Sequence, residues 1–243
     1  MGIYDRDYYR ESPSRGFFGG FRLWSVNSWI IIINIAVFVI NNLLTASSPD
    51  PSGYYQIVQH PIYQLGYFSV VKGVFDFQVW RFITFQFLHA GFKHILYNMI
   101  ALFFFGPLIE GYLGSRRYAV FYLICGIAGP LMYIVMWMAH ILITGPAVPM
   151  IGASAGIFGV LIAAALVAPD ATVLVYFVLP VKLRTVAWVM LGIAAWSVLT
   201  NQLNSGGEVA HLGGAAAGWA LIKNQQLLNF ADFRRGPRMR IRR

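Results

Sequence analysis

The chain has 243 residues, 58% hydrophobic and only 11% charged, with a formal net charge of +9. Soluble domains carry about 25% charged residues, so the composition excludes an ordinary soluble globular protein. Several long apolar runs indicate a polytopic helical membrane protein, and the short alternating strands of a porin-like barrel are not visible. The single cysteine, Cys125, lies in an apolar run. It forms no disulfide framework and reads as a buried small hydrophobe.

Residues 1–23 are polar and aromatic, and read as a short, poorly ordered cytoplasmic arm. The first expected span is Trp24–Leu44, a retained span with no cleavage site after it. Pro49-Asp50-Pro51-Ser52-Gly53 opens a long connection to about Phe92. Its stretches Ile62–Val71 and Trp80–Phe87 have the pattern of segments lying in the membrane interface. The second span is His94–Tyr112 and the third Tyr118–Met138, with a kink expected at Pro130. A loop with Gly145-Pro146 and Pro149 leads to the fourth span, which begins at Ser154 and stops at Pro169-Asp170. Ala171–Pro180 is apolar but short, so the fifth span is Leu183–Leu199 and the sixth Gly207–Ile222. A basic tail begins at Lys223. The expected domains are thus 1–23, a six-span unit at 24–222, and the tail at 223–243.

Six spans put both termini on one side. That side holds 15 of the 18 Lys and Arg residues, and only Lys72, Arg81 and Lys93 fall on the other. The positive-inside rule then places both termini in the cytoplasm. The charge needs no nucleic-acid partner; it sets topology and adds contact with anionic lipid. No transit peptide is evident, which points to a prokaryotic inner membrane.

Ser154 sits in Gly152-Ala153-Ser154-Ala155-Gly156, where a loop turns into an apolar helix. From Ser154 to Asp170 the segment is about 24 Å long at ~1.5 Å per residue, shorter than a hydrocarbon core of roughly 30 Å. Ser154 therefore lies inside the membrane, at a helix N-terminus whose unpaired N–H groups favour an oxyanion. His211 falls about one turn inside the sixth span, at a similar depth. The small residues Ala155, Gly159 and Ala163 match Gly214 and Gly218 across the expected contact. A serine needs a neighbouring base to become a nucleophile, and His211 is placed to be that base. His94 and Asn98, four apart on one helix face, join the Ser154 N–H as candidate oxyanion donors. Glu208 lies one turn before His211 at the wet mouth, too loosely placed to orient it strongly, so a Ser–His dyad is expected. Glu110 reads as a structural group bonding across helices.

Together these residues resemble the rhomboid family of intramembrane serine proteases. Trp80-Arg81 looks like the family's outer-loop Trp-Arg. His94 and Asn98 match its His-x-x-x-Asn, and His89 a structural histidine of the preceding loop. The run from Glu110 to Arg116 resembles its usual end of span two. Ser154 matches the nucleophile of Gly-x-Ser, with Gly152 opening that motif, and Ala210-His211-Leu-Gly-Gly214-x-x-x-Gly218 matches Ala-His-x-x-Gly-x-x-x-Gly. Phe158 occupies the position whose ring packs on the histidine. The likeness covers Trp24–Ile222.

The resemblance implies a six-helix all-α membrane bundle with a long first outer loop partly embedded in the membrane. Trp80 and Arg81 would anchor that loop at the interface. The implied activity is serine endopeptidase cleavage of transmembrane segments of other proteins near the outer face, with no metal or cofactor. Ala155 departs from the family's usual Gly; its methyl can crowd the oxyanion site or the loop that covers it, and an altered rate is expected more than a loss of activity. The competing reading is a non-catalytic, rhomboid-like membrane protein that binds client helices; a small transporter is a third, disfavoured because no repeat relates the halves.

Overall fold

A computed structural model describes residues 24–49, 56–142, 144–175, 178–202 and 204–232. The expected arm at 1–23 and the end of the basic tail, 233–243, lie outside the described residues. Helix α1 spans Val26–Leu43. A hairpin follows, β1 (Ala46–Pro49) antiparallel to β2 (Gln56–Gln59) with Ala46 opposite Gln59. The connection continues through α2 (Pro61–Gly66), a π-turn at Val71–Phe75, α3 (Arg81–Thr84) and a 3-10 turn at Phe85–Phe87. The long helices are α4 (Phe92–Leu113), α5 (Ser115–Met138), α6 (Ser154–Val167), α7 (Leu183–Leu199) and α8 (Ser205–Lys223). Between α6 and α7 lies a second antiparallel hairpin, β3 (Thr172–Val175) and β4 (Leu179–Lys182). Hydropathy marks that stretch only as a short apolar piece. Its β-branched run, broken by Pro180, suits an edge hairpin better than a helix.

Among the described residues, three helices, α1, α4 and α5, are long and apolar enough to cross a membrane, and α6 and α7 are shorter apolar helices. Large side chains such as Ile35, Phe103, Val135, Trp188 and Trp196 are exposed. The outside of the bundle thus carries many large apolar side chains, as a lipid-facing surface does. The molecule is therefore an all-α membrane protein. The helix α6 is buried on every side from Ala155 to Ala164, which makes it the central element of the bundle. Around it pack Leu102 and Ile109 of α4, Phe121, Tyr122 and Cys125 of α5, and Ala215 and Leu221 of α8. Helix α5 runs on through Pro130 to Met138.

A second core lies under the connection after α1, where Phe68, Val70 and Phe85 meet Tyr133, Leu142, Val198 and Val209. Phe68 and Met150 exchange backbone hydrogen bonds of 3.0 and 2.7 Å. The connection is thereby stitched to the segment that enters α6. Arg81 is 5% exposed. Its guanidinium donates to Tyr67 O, Gln64 O and Gln78 Oε1, and lies over the Tyr67 ring. Its donors thus tie the C-terminal end of α2 to α3 within the loop. Trp80 is exposed, with Nε1 donating to Leu65 O at 3.3 Å.

The N-terminus of α1 is capped twice. Ser25 Oγ accepts from Ser28 N at 3.0 Å. The buried Glu110 carboxylate accepts from Val26 N at 2.8 Å, Asn27 N at 2.9 Å and Ser115 Oγ at 2.6 Å. A carboxylate at a helix N-terminus satisfies otherwise orphaned N–H groups and meets the positive end of the dipole. Asn27 extends the network, donating to Leu102 O and accepting from Tyr118 Oη at 2.7 Å. Asn27, Asn34 and Asn41, spaced seven apart, form a buried polar seam that hydropathy alone does not reveal. Glu110→Ala is expected to lower stability by about 2–3 kcal/mol, because it strands buried donors; thermal unfolding of the purified protein in detergent checks this.

Candidate active site

Ser154 is the first residue of α6 and is reached through Gly152 at φ +126. That φ lies in the left-handed region, where a side chain is strained. A Cβ at Gly152 would also stand 2.8 Å from His94 Nε2. Gly152 N donates to Phe85 O at 2.9 Å, which fixes the loop against the 3-10 turn. Gly152→Ala combines strain of about 1–3 kcal/mol with displacement of His94. The expected outcome is a lower melting temperature together with a slower reaction of Ser154 with a fluorophosphonate.

His211, on α8, meets Ser154. The Nε2···Oγ distance is 2.8 Å. The imidazole stacks on Phe158, with centroids 4.3 Å apart and planes at 6°. This contact fixes the ring plane and covers one face from water. The other ring nitrogen, Nδ1, lies 2.8 Å from Glu208 Oε2. Glu208, expected to be only loosely placed at the mouth, thus stands within hydrogen-bond distance of the ring. Helical side chains lean toward the N-terminus, so the His211 ring is carried back over the turn that bears Glu208.

The close approach of α6 and α8 depends on small residues. A Cβ at Gly214 would lie 1.9 Å from Ala155 O, and one at Gly218 would lie 2.5 Å from Gly159 O. The matched small-residue stripes therefore bring the two backbones into contact. The Ala155 methyl packs toward Gly129 of α5: a Cβ at Gly129 would lie 2.8 Å from it. The absent side chain at Gly129 leaves the notch that this methyl fills.

His94 and Asn98 stand on α4 across the site. Ala90 N donates to His94 Nδ1 at 3.3 Å, which leaves Nε2 as the protonated, donating nitrogen. Asn98 is buried and donates through Nδ2 to His94 O at 3.0 Å. His89, in the preceding loop, is buried and packs edge-on against His94 at 4.9 Å. Burial, and then the neighbouring His94, lower its pKa to about 3, so the ring is neutral. A cavity of about 460 Å³ joins these groups, lined by His94, Tyr97, Asn98, Ser154, Phe158 and His211 among others. Among the described residues no group of three or more His, Cys, Asp or Glu side chains is placed to hold a metal ion.

The sequence comparisons agree on one family. The description "Rhomboid domain" matches residues 76–223. "RHOMBOID-like protein 1" of Arabidopsis thaliana is 29% identical over 167 residues, covering 59% of this chain and 40% of that protein. "Rhomboid-like protease 3" of Toxoplasma gondii is 27% identical over 197 residues, covering 80% of this chain and 66% of that protein. "Inactive RHOMBOID-like protein 8" of Arabidopsis thaliana is 36% identical over 84 residues, covering 35% of this chain and 22% of that protein. The chain thus spans less than two thirds of the length of these relatives. The match includes α3 to α8 and every residue of the Ser154 cavity, and on that ground the chain belongs to the rhomboid family of integral membrane proteins.

Proposed function

We propose that the protein is an intramembrane serine endopeptidase that cleaves transmembrane segments of other membrane proteins near the outer face. The observation that carries this reading is the 2.8 Å contact between Ser154 Oγ and His211 Nε2 at the half-buried N-terminus of the central helix. In the proposed reaction Ser154 Oγ attacks the scissile carbonyl carbon as its proton passes to His211 Nε2. The tetrahedral oxyanion is held by the Ser154 N–H, by Nε2–H of His94 and by Asn98, donors that act where water is largely excluded. The intermediate collapses as His211 returns its proton to the leaving amine. Water, activated by the same imidazole, then releases the acyl group. An adjoining cavity of about 370 Å³, lined by polar groups of His94, Tyr133, Thr144 and Asn204, offers that water a path.

A substrate helix has to unwind locally here, because a helical carbonyl is already hydrogen-bonded. The first outer connection, with exposed Leu65, Phe77, Trp80 and Ile83, is proposed to lie partly in the bilayer. The proposed topology has six spans, α1 and α4 to α8, with both termini in the cytoplasm of a prokaryotic cell and the active site opening outward. The short α6 and the charge distribution support it. The rival reading, a non-catalytic binder of client helices, rests on Ala155, whose methyl is directed to Gly129 and away from the cavity.

The test is labelling with a fluorophosphonate. Wild-type protein in bilayers is expected to label at Ser154 and Ser154→Ala is expected not to. Absence of labelling in folded wild-type protein would favour the binder.

A further inference from the structure

We propose that Glu208 is the positioning residue of the Ser154–His211 pair, making the site a Ser–His–Glu chain. This inference rests on the hydrolase reading above. Glu208 Oε2 lies 2.8 Å from His211 Nδ1, within hydrogen-bond range, and the two side chains are only 18% and 16% exposed. The carboxylate is itself anchored, with Asn204 Nδ2 at 3.4 Å from Oε1 and Glu208 N donating to Asn204 O at 3.0 Å. Asn204, which caps α8, and Glu208 and His211 on the helix succeed one another along one face and end on Ser154 of α6.

Two consequences follow from a carboxylate in that place. An ionised carboxylate only accepts, so the ring must carry its proton on Nδ1, leaving the Nε2 lone pair free to accept from Ser154. When the Ser154 proton moves to Nε2, the ring becomes an imidazolium and the charge is stabilised by Glu208, which stays ionised throughout. The other groups facing the ring do not supply this. From α4, His94 is bare on the nitrogen that accepts from Ala90, and so is neutral. From α6 come Ser154 and Phe158, and from α7 the cavity receives Val186 and Met190. Tyr133 of α5 lines the adjoining cavity, with its hydroxyl donating to Gly145 O at 3.0 Å. Glu208 is the ionised group in contact with the pair among the described residues. The competing assignment is purely structural, with Glu208 serving the dipole of its own helix from the first turn.

The experiment compares wild type, Glu208→Gln, Glu208→Ala and Ser154→Ala in bilayers, cleaving a fluorescent transmembrane substrate. Glu208→Gln is expected to lower kcat on the order of 10- to 100-fold with KM within about two-fold, less than the ~10⁴-fold cost of losing a fully buried aspartate beside a catalytic histidine. A merely structural role predicts a lower melting temperature with an unchanged kcat per folded molecule. That result overturns the proposal. 15N NMR of the labelled histidine side chains reads the tautomer independently of turnover: His211 is expected to carry its proton on Nδ1 in the wild type and to lose that preference in Glu208→Ala. The same tautomer in both overturns the proposal even if the wild type proves inactive, whereas loss of the hydrolase reading alone would show as wild-type cleavage equal to that of Ser154→Ala.

Discussion

Ser154→Ala is expected to abolish cleavage of a transmembrane substrate, with a fall in kcat on the order of 10⁴- to 10⁶-fold, the cost of removing a serine nucleophile from a site whose members act as a unit. The change deletes one oxygen atom. Its hydrogen-bond partner is His211 Nε2 at 2.8 Å, and the ring keeps its other contacts, with Phe158 at 4.3 Å and Glu208 at 2.8 Å. The fold should therefore persist, with a melting temperature within a few degrees of wild type. Substrate binding should persist too, since the cavity walls are unchanged. The informative measurement is single-turnover cleavage in bilayers beside a melting curve of the same sample. Cleavage that survives in Ser154→Ala would assign hydrolysis to another group and end the proposed mechanism.

Gly214→Ala should be the most destructive substitution of a single methyl group. The added Cβ would stand 1.9 Å from Ala155 O and 2.6 Å from Ala155 C. Overpacking a core ordinarily costs about 1–3 kcal/mol, because flexible side chains yield. Here the obstacle is the backbone of the central helix, which cannot rotate aside, so the cost should reach about 3 kcal/mol or more. Relief requires α6 and α8 to move apart, and that motion pulls Ser154 from His211. Stability and activity should fall together, unlike in Ser154→Ala. Gly111→Ala on α4 is the control, since a Cβ there would meet nothing within 4 Å; a change within about 1 kcal/mol, favourable if anything, is expected there from helix propensity alone. Equal losses in the two variants would show that the close helix contact is not what Gly214 provides.

Much of the candidate site was legible in the residue order because its determinants are local. The run from Gly152 to Gly156 reads as a loop turning into a helix, and Gly214 and Gly218 read as a face made for close approach. The ends of α4, α5, α6, α7 and α8 fall within about three residues of the expected spans, since apolar runs broken by Gly, Pro and charge mark where helices stop. The Phe158–His211 stack, inferred from family likeness, has its physical basis in the four-residue spacing that puts Phe158 over the same helix face as Ser154.

What the sequence alone determined is a polytopic helical membrane protein with a serine and a histidine at matching depth, because hydropathy, charge bias and residue spacing are properties of the chain itself. The tertiary structure alone decided the rest: Glu208 at His211 Nδ1, Arg81 inside the loop, Glu110 capping α1, and the Ala155 methyl in the notch at Gly129. Each of these depends on the direction in which a side chain leaves its element and on what a distant segment puts in its path. Spacing along a chain gives the face of a helix, and only packing gives the partner.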